Sequence, residues 1–285
     1  MRERRCTCRP MAPGPRHRGD AAMTRLLRAT PGYTAPVIIA PLDGSAPGRG
    51  TTALAAGLIR RMGWRLALVP VPLMATAADR RRRLIAGALD ERAALIASPA
   101  THHASAAEKA ADCLALAACA PCPVLAVPLA GDTEPALDGP VICGIDGTDG
   151  SAPVARAAAG LAVALGAALE LVHVATPREN GAASRVDLRT PLPGRLWRTI
   201  HSLGAITPVK VVVESGDPAG RLCALAESKR GLLVIGAPAG GDTDGEGRIA
   251  ATVLTESRVP VAVVSSSGIA PATAESGAAL DEVAA

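Results

Sequence analysis

The sequence predicts an α/β protein made of two tandem, doubly wound parallel-sheet halves. Three observations carry that expectation. One phrase occurs twice, as VIIAPLDGSAPGRGTTALAAGLIRRMGWRLALVPV at 37–71 and VICGIDGTDGSAPVARAAAGLAVALGAALELVHVA at 141–175. Each copy is an apolar run, then Asp-Gly-Ser or Asp-Gly-Thr, then an Ala-rich stretch and a second apolar run. The short runs are apolar on both faces and alternate with helix-length segments, the pattern of a parallel sheet covered on both sides. Finally, 285 residues suit two domains at roughly 100–200 residues each. Hydrophobic residues make up 49% with aromatics at only 1% and no Phe, so the cores are packed from Val, Leu, Ile and Ala.

The first half opens on the strand at Val37, turns at Asp43-Gly-Ser and runs through its helix to a second strand ending near Val71. Only Pro72 to Ala78 precede the next helix. There RRRRLIAGALDERAALIAS (80–98) places apolar residues at three- and four-residue spacing and then enters a buried strand. CPVLAVP at 122–128 closes the half.

The second half reads as strand 141–145, helix 151–165, strand 168–174, an ill-defined helical segment 188–203, strand 208–213, helix 218–229, strand 231–235, helix 247–257 and strand 260–264. GRLCALAESKRGLLVIGA (220–237) answers the Arg-rich segment, and VPVAVVS (259–265) answers CPVLAVP. Asp43 and Asp146 stand 103 residues apart and Pro123 and Pro260 stand 137 apart, so the second copy holds 34 more residues. The first half therefore lacks one helical segment and one strand. Asp79 and Asp217 fall near helix starts, where a carboxylate is favoured.

The halves are set at 34–132 and 138–266, with the Gly/Pro/Asp-rich GDTEPALDGP (131–140) between them. Residues 1–33 are expected to form a disordered basic tail and 267–285 a disordered Ala/Ser/Gly-rich one. The start at Met1 is open, with Met11 and Met23 as alternatives. Of the formal charge of +4, the first 33 residues supply +6 and the remainder −2. A body that near neutrality is not expected to bind nucleic acid. No apolar stretch reaches the ~20 residues of a membrane-spanning helix, and no apolar segment follows the first arginines as in an export signal. Seven cysteines without regular spacing then suggest reduced thiols in the cytoplasm.

VICGIDGTDGS, ALGAALELVHV, SGDPAGRLCALAESKRGLLVIGAPAGG and GRIAATVLTESRVPVAVVS, in that order, resemble the universal stress protein family. The likeness covers 138–266 well and 36–128 weakly. It implies two Rossmann-like, adenine-nucleotide-binding folds packed as an intramolecular pseudo-dimer, with the last strand of each half near the pseudo-twofold axis. Homodimers and a regulatory protein partner of unknown identity are also implied. Some members bind ATP and some do not, and they act in stress responses by binding rather than catalysis.

The resemblance places an adenine-nucleotide site, for ATP with Mg²⁺, in the second half. Its residues would be Asp146, Gly147, Thr148, Val174, Gly236, Ala237, Gly240, Gly247, Arg248 and Ile249. A carboxylate at a strand end accepts hydrogen bonds from hydroxyls and amines, and glycines let amide hydrogens converge on an anion. The other reading of Asp146 is a turn that caps the next helix. The family's phosphate loop spaces its glycines as Gly, two residues, Gly, nine residues, Gly-Ser/Thr. Here Ala239 takes the second glycine position, the loop is about two residues short, Arg248 replaces the hydroxyl, and Asp242, Asp244 and Glu246 bring negative charge. In the first half no glycine stands between Ala97 and Pro123, and Ala110 and Ala111 replace Gly-Ser, so no nucleotide is expected there.

Other motifs point to structure. Cys119-Ala-Pro-Cys122 ends a helix, whereas a redox pair begins one. Cys113 with His102 or His103 lacks regular zinc spacing. The Asp242–Gly247 segment lacks a glutamate at the twelfth calcium-loop position, where Val253 stands. Arg80 to Arg83 fit a solvated helix face, and His173 fits a packed strand position. No nucleophile–base–orienter set is seen. A scaffold with both sites lost and a nucleotide hydrolase remain as alternative functions.

Overall fold

A computed structural model of the chain describes residues 35–43, 46–72, 74–98, 105–128, 137–148, 150–175, 200–201, 203, 207–237 and 246–265. The expected tails and most of the 188–203 segment lie outside them; of that segment, Ile200, His201 and Leu203 are helical.

The first half runs β1 (Val37–Leu42), α1 (Ala46–Met62), β2 (Arg65–Pro70), α2 (Ala77–Asp90), β3 (Leu95–Ser98), α3 (Ala106–Cys119) and β4 (Val124–Ala126). The second runs β5 (Val141–Ile145), α4 (Ser151–Leu165), β6 (Leu169–Ala175), β7 (Val209–Ser215), α5 (Pro218–Lys229), β8 (Leu232–Ala237), α6 (Glu246–Glu256) and β9 (Val261–Ser265). Local signals set the helix ends. Thr76 caps α2 by accepting from the Asp79 amide, and Ser105 and Glu108 form a reciprocal capping box on α3. Asp217 caps α5 ahead of Pro218, and Gly166 ends α4 in the left-handed region.

The nine strands of the described residues join one sheet in the order β2-β1-β3-β4-β9-β8-β5-β6-β7. Every pairing is parallel except β4 with β9, where Val124, Leu125 and Ala126 face Val263, Ala262 and Val261. That antiparallel pair is the seam between the halves. Among the described residues, β7 has no counterpart in the first half.

Both faces of the sheet are covered by helices, and both cores draw on both halves. On one face Ile38, Leu95 and Leu125 share a cluster with Val141, Leu171, Leu232 and Ala262. On the other Ile39, Ile96 and Val124 join Ile142, Leu233 and Val263. Alternate residues of one strand thus serve opposite cores, as the two-residue strand period requires. Helix contacts also cross the seam: α1 meets α4 on one face, and α3 meets α6 on the other. The described residues from Pro36 onward accordingly form one compact unit. Among them, no helix is long and apolar enough to cross a membrane.

Candidate functional site

The sheet order reverses direction between β5 and β8: from β5 the chain winds out to β6 and β7, and from β8 it winds back to β9. Open parallel sheets bind ligands in the crevice at such a switch point, beyond the carboxyl ends of the strands. Asp146 follows β5 directly, and Gly236 and Ala237 end β8. Asp146, Gly236 and Ala237 therefore stand at the strand tips that flank the switch point.

Asp146 is held in a defined pose. Its Oδ1 accepts hydrogen bonds from the Thr148 amide at 2.8 Å, the Thr148 hydroxyl at 2.8 Å and the Ser151 hydroxyl at 2.6 Å. The Ser151 oxygen in turn accepts from the Asp146 amide at 3.2 Å. The turn depends on Gly147, whose φ of 84° lies in the region that side chains avoid. Partial burial would raise the Asp146 pKa, but the hydrogen bonds from Ser151 and Thr148 outweigh it and hold the carboxyl below its usual range. The group is ionised at neutral pH. With Oδ1 fully engaged, Oδ2 is left without a donor among the described residues. It is an oriented, charged acceptor at a strand tip.

Of the alternative reading, the turn holds and the helix cap does not. Gly150 occupies the N-cap position of α4 and makes no side-chain cap bond. The Asp146 Oδ1 is spent on its own turn and on Ser151, a buried hydroxyl in the first turn of α4. Ser151 was missed from the sequence. The available signal was a hydroxyl at a helix start one short turn after Asp-Gly.

The remaining expected residues sit around this point. Val174 is half-buried near the end of β6, beside His173, whose Nδ1 lies 3.1 Å from the Ile145 carbonyl. That contact fixes His173 as a packed strand residue. Gly236 lies against α4, where a Cβ would come within 3.2 Å of Val154. Gly247 is buried in the first turn of α6, while Arg248 and Ile249 are exposed. Gly240, Ala239 and the acidic Asp242 and Asp244 lie outside the described residues. Among the described residues no hydrogen bond ties Asp146 to β8 or α6.

The other motifs resolve locally. Cys119 is the last residue of α3 and is exposed. Burial pushes the Cys122 thiol up to about 12, and burial with the Asp112 charge does the same for Cys113. Such thiols are poor nucleophiles and poor metal ligands. Among the described residues no group of three or more His, Cys, Asp or Glu is placed to hold a metal. The arginine run divides: Arg82 and Arg83 are exposed as expected, but Arg80 and Arg81 are partly buried.

Residues 139–265 match the model of the universal stress protein family. No curated protein matches the chain. Among solved structures, a universal stress protein from Archaeoglobus fulgidus DSM 4304 superposes with a TM-score of 0.58 and 17% identity, over 81% of this chain and 97% of that one. The cytoplasmic domain of a prokaryotic cation chloride cotransporter superposes with a TM-score of 0.50 and 12% identity, over 82% and 96%. At these identities the likeness shows the fold.

Proposed function

We propose that the chain, whose residues 139–265 match the model of the universal stress protein family, is a stress-response binding protein that takes one adenine nucleotide, in its second half alone. The observation that carries this reading is Asp146. One carboxylate oxygen is pinned by three hydrogen bonds, and the other is open at the switch point of the sheet. An ionised acceptor so placed suits the ribose hydroxyls or the adenine amine. The amides of the segment after β8 and the start of α6 would receive the phosphates, with Gly236, Gly240 and Gly247 allowing close approach and Arg248 adding charge. Mg²⁺ would come with the phosphates, since it commonly keeps several waters and is held largely by substrate phosphate oxygens. The first half then serves as the structural partner, its β4 completing the sheet beside β9. Nucleotide occupancy would stabilise the second half by mass action and so bias a surface read by a regulatory partner.

Equilibrium binding of labelled ATP with Mg²⁺ to the full chain tests this. Removing a charged acceptor costs about 1.5–3 kcal/mol, so Asp146→Ala should weaken binding roughly 10- to 150-fold. Absence of saturable binding by the wild-type chain leaves the scaffold reading, which the acidic segment and Ala239 favour. Steady phosphate release would instead favour a hydrolase.

A further inference from the structure

A second cleft lies on the first half. It opens between α2 and α3 beside the carboxyl tip of β3, with a cavity volume of about 30 Å³. Arg80 and Arg81 reach it from α2, Lys109 and Asp112 from α3, and Ser98 from the end of β3. Buried Leu84 and Leu116 form its apolar wall. Three cations and one carboxylate leave a formal charge of +2 in a partly buried space.

Nothing among the described residues neutralises that charge. Among the described residues none of the three cations lies within ion-pair distance of a carboxylate. The neighbouring acids are engaged elsewhere: Asp79 with Thr76 and Arg82, and Glu108 with the Ser105 amide in the capping box of α3. Most telling is Arg80, whose Nε is buried and has no acceptor. Folded chains rarely leave a charged donor desolvated and unpaired. The first turns of α2 and α3 add their partial positive charge at the same end of the sheet.

We propose that this cleft is a phosphate-binding site. A phosphate dianion matches the formal charge of +2. A guanidinium fork matches two phosphate oxygens, which would satisfy the orphaned Arg80 Nε. Lys109 supplies a second cation and the Ser98 hydroxyl a neutral donor. The site owes nothing to a glycine loop, which this half lacks, and it is separate from the Asp146 site. Its ligand is inorganic phosphate or the phosphate end of a small phosphomonoester.

Equilibrium dialysis of the full-length chain against ³²P-labelled inorganic phosphate at low ionic strength tests the proposal, with AMP and glycerol phosphate as competitors. The expected result is saturable binding of one phosphate per chain with a Kd near or below about 1 mM. Arg80→Gln and Lys109→Gln should each weaken it at least roughly tenfold, and Asp146→Ala should leave it unchanged. Competitors displacing phosphate at its own affinity identify a free-anion site; a competitor that binds much more tightly identifies a phosphomonoester. If Arg80→Gln does not fold, Lys109→Gln carries the test alone. Absence of saturation, binding that survives both cleft substitutions, or binding lost in Asp146→Ala instead would overturn the assignment.

Discussion

Leu125 is fully buried in β4, opposite Ala262 of β9 across the antiparallel seam. It belongs to a core cluster that includes Ile38 and Leu95 from the first half and Val141, Leu171 and Leu232 from the second. Leu125→Ala removes buried carbon at a place where neither half of the sheet can close the gap without moving the other. Substitutions of this kind cost about 2–5 kcal/mol. For a folded unit of this size each kcal/mol lowers Tm by about 2–4 °C, so the expected fall is roughly 4–20 °C. Because the core is shared, differential scanning calorimetry should record a single transition before and after substitution. The calorimetric and van't Hoff enthalpies should agree, and the whole transition should move. Leu89→Ala, at an exposed position of α2, should change stability by no more than about 0.5 kcal/mol. Two transitions, with only the first-half one displaced by Leu125→Ala, would refute the shared core.

Further outcomes follow from particular contacts. Glu170 is only 8% exposed and meets Lys229 at 2.5 Å, so Lys229→Met should destabilise by about 1–3 kcal/mol in urea titrations. Pairing it with Glu170→Gln should recover much of that loss, and simple additivity of the two changes would contradict the account. At Asp146 the folded pKa lies below the unfolded one, so its stabilising contribution is complete above a pH of about 4 and is lost as pH falls through the folded value. Ser151→Ala should therefore cost about 1–3 kcal/mol at neutral pH and progressively less in acid; a loss that does not vary with pH would count against the hydrogen-bonded carboxylate. Burial raises the Cys113, Cys122 and Cys143 thiols to about 12 while Cys119 is exposed. Alkylation of the native chain near pH 8, mapped by mass spectrometry, should label Cys119 and spare the other three; equal labelling of Cys122 would contradict its burial.

Much of the fold is legible because local punctuation and burial agree. The limits of α4 and α5 match expectation since Gly166 and Asp217-Pro218 mark them chemically. Strand ends are less legible, because pairing rather than composition decides them. β7 runs to Ser215, two residues beyond its apolar core, because Ser215 pairs with Ala175 of β6. Asp146 could be found from Asp-Gly at a strand end, but its fixed pose could not: it depends on Ser151 turning back across the β5–α4 loop. The Arg80 environment was hidden for a similar reason. Four successive arginines read as a solvated face, and only the packing of α2 beside α3 turns two of them inward. Gly240, the centre of the expected phosphate loop, lies outside the described residues.

The central claim is a duplicated fold with a single nucleotide site, and the stoichiometry of ATP binding to the intact chain tests it most directly. One ATP per chain is expected, bound unchanged by Asp43→Ala and weakened roughly 10- to 150-fold by Asp146→Ala. Two equivalents per chain, or full binding in Asp146→Ala, would contradict it.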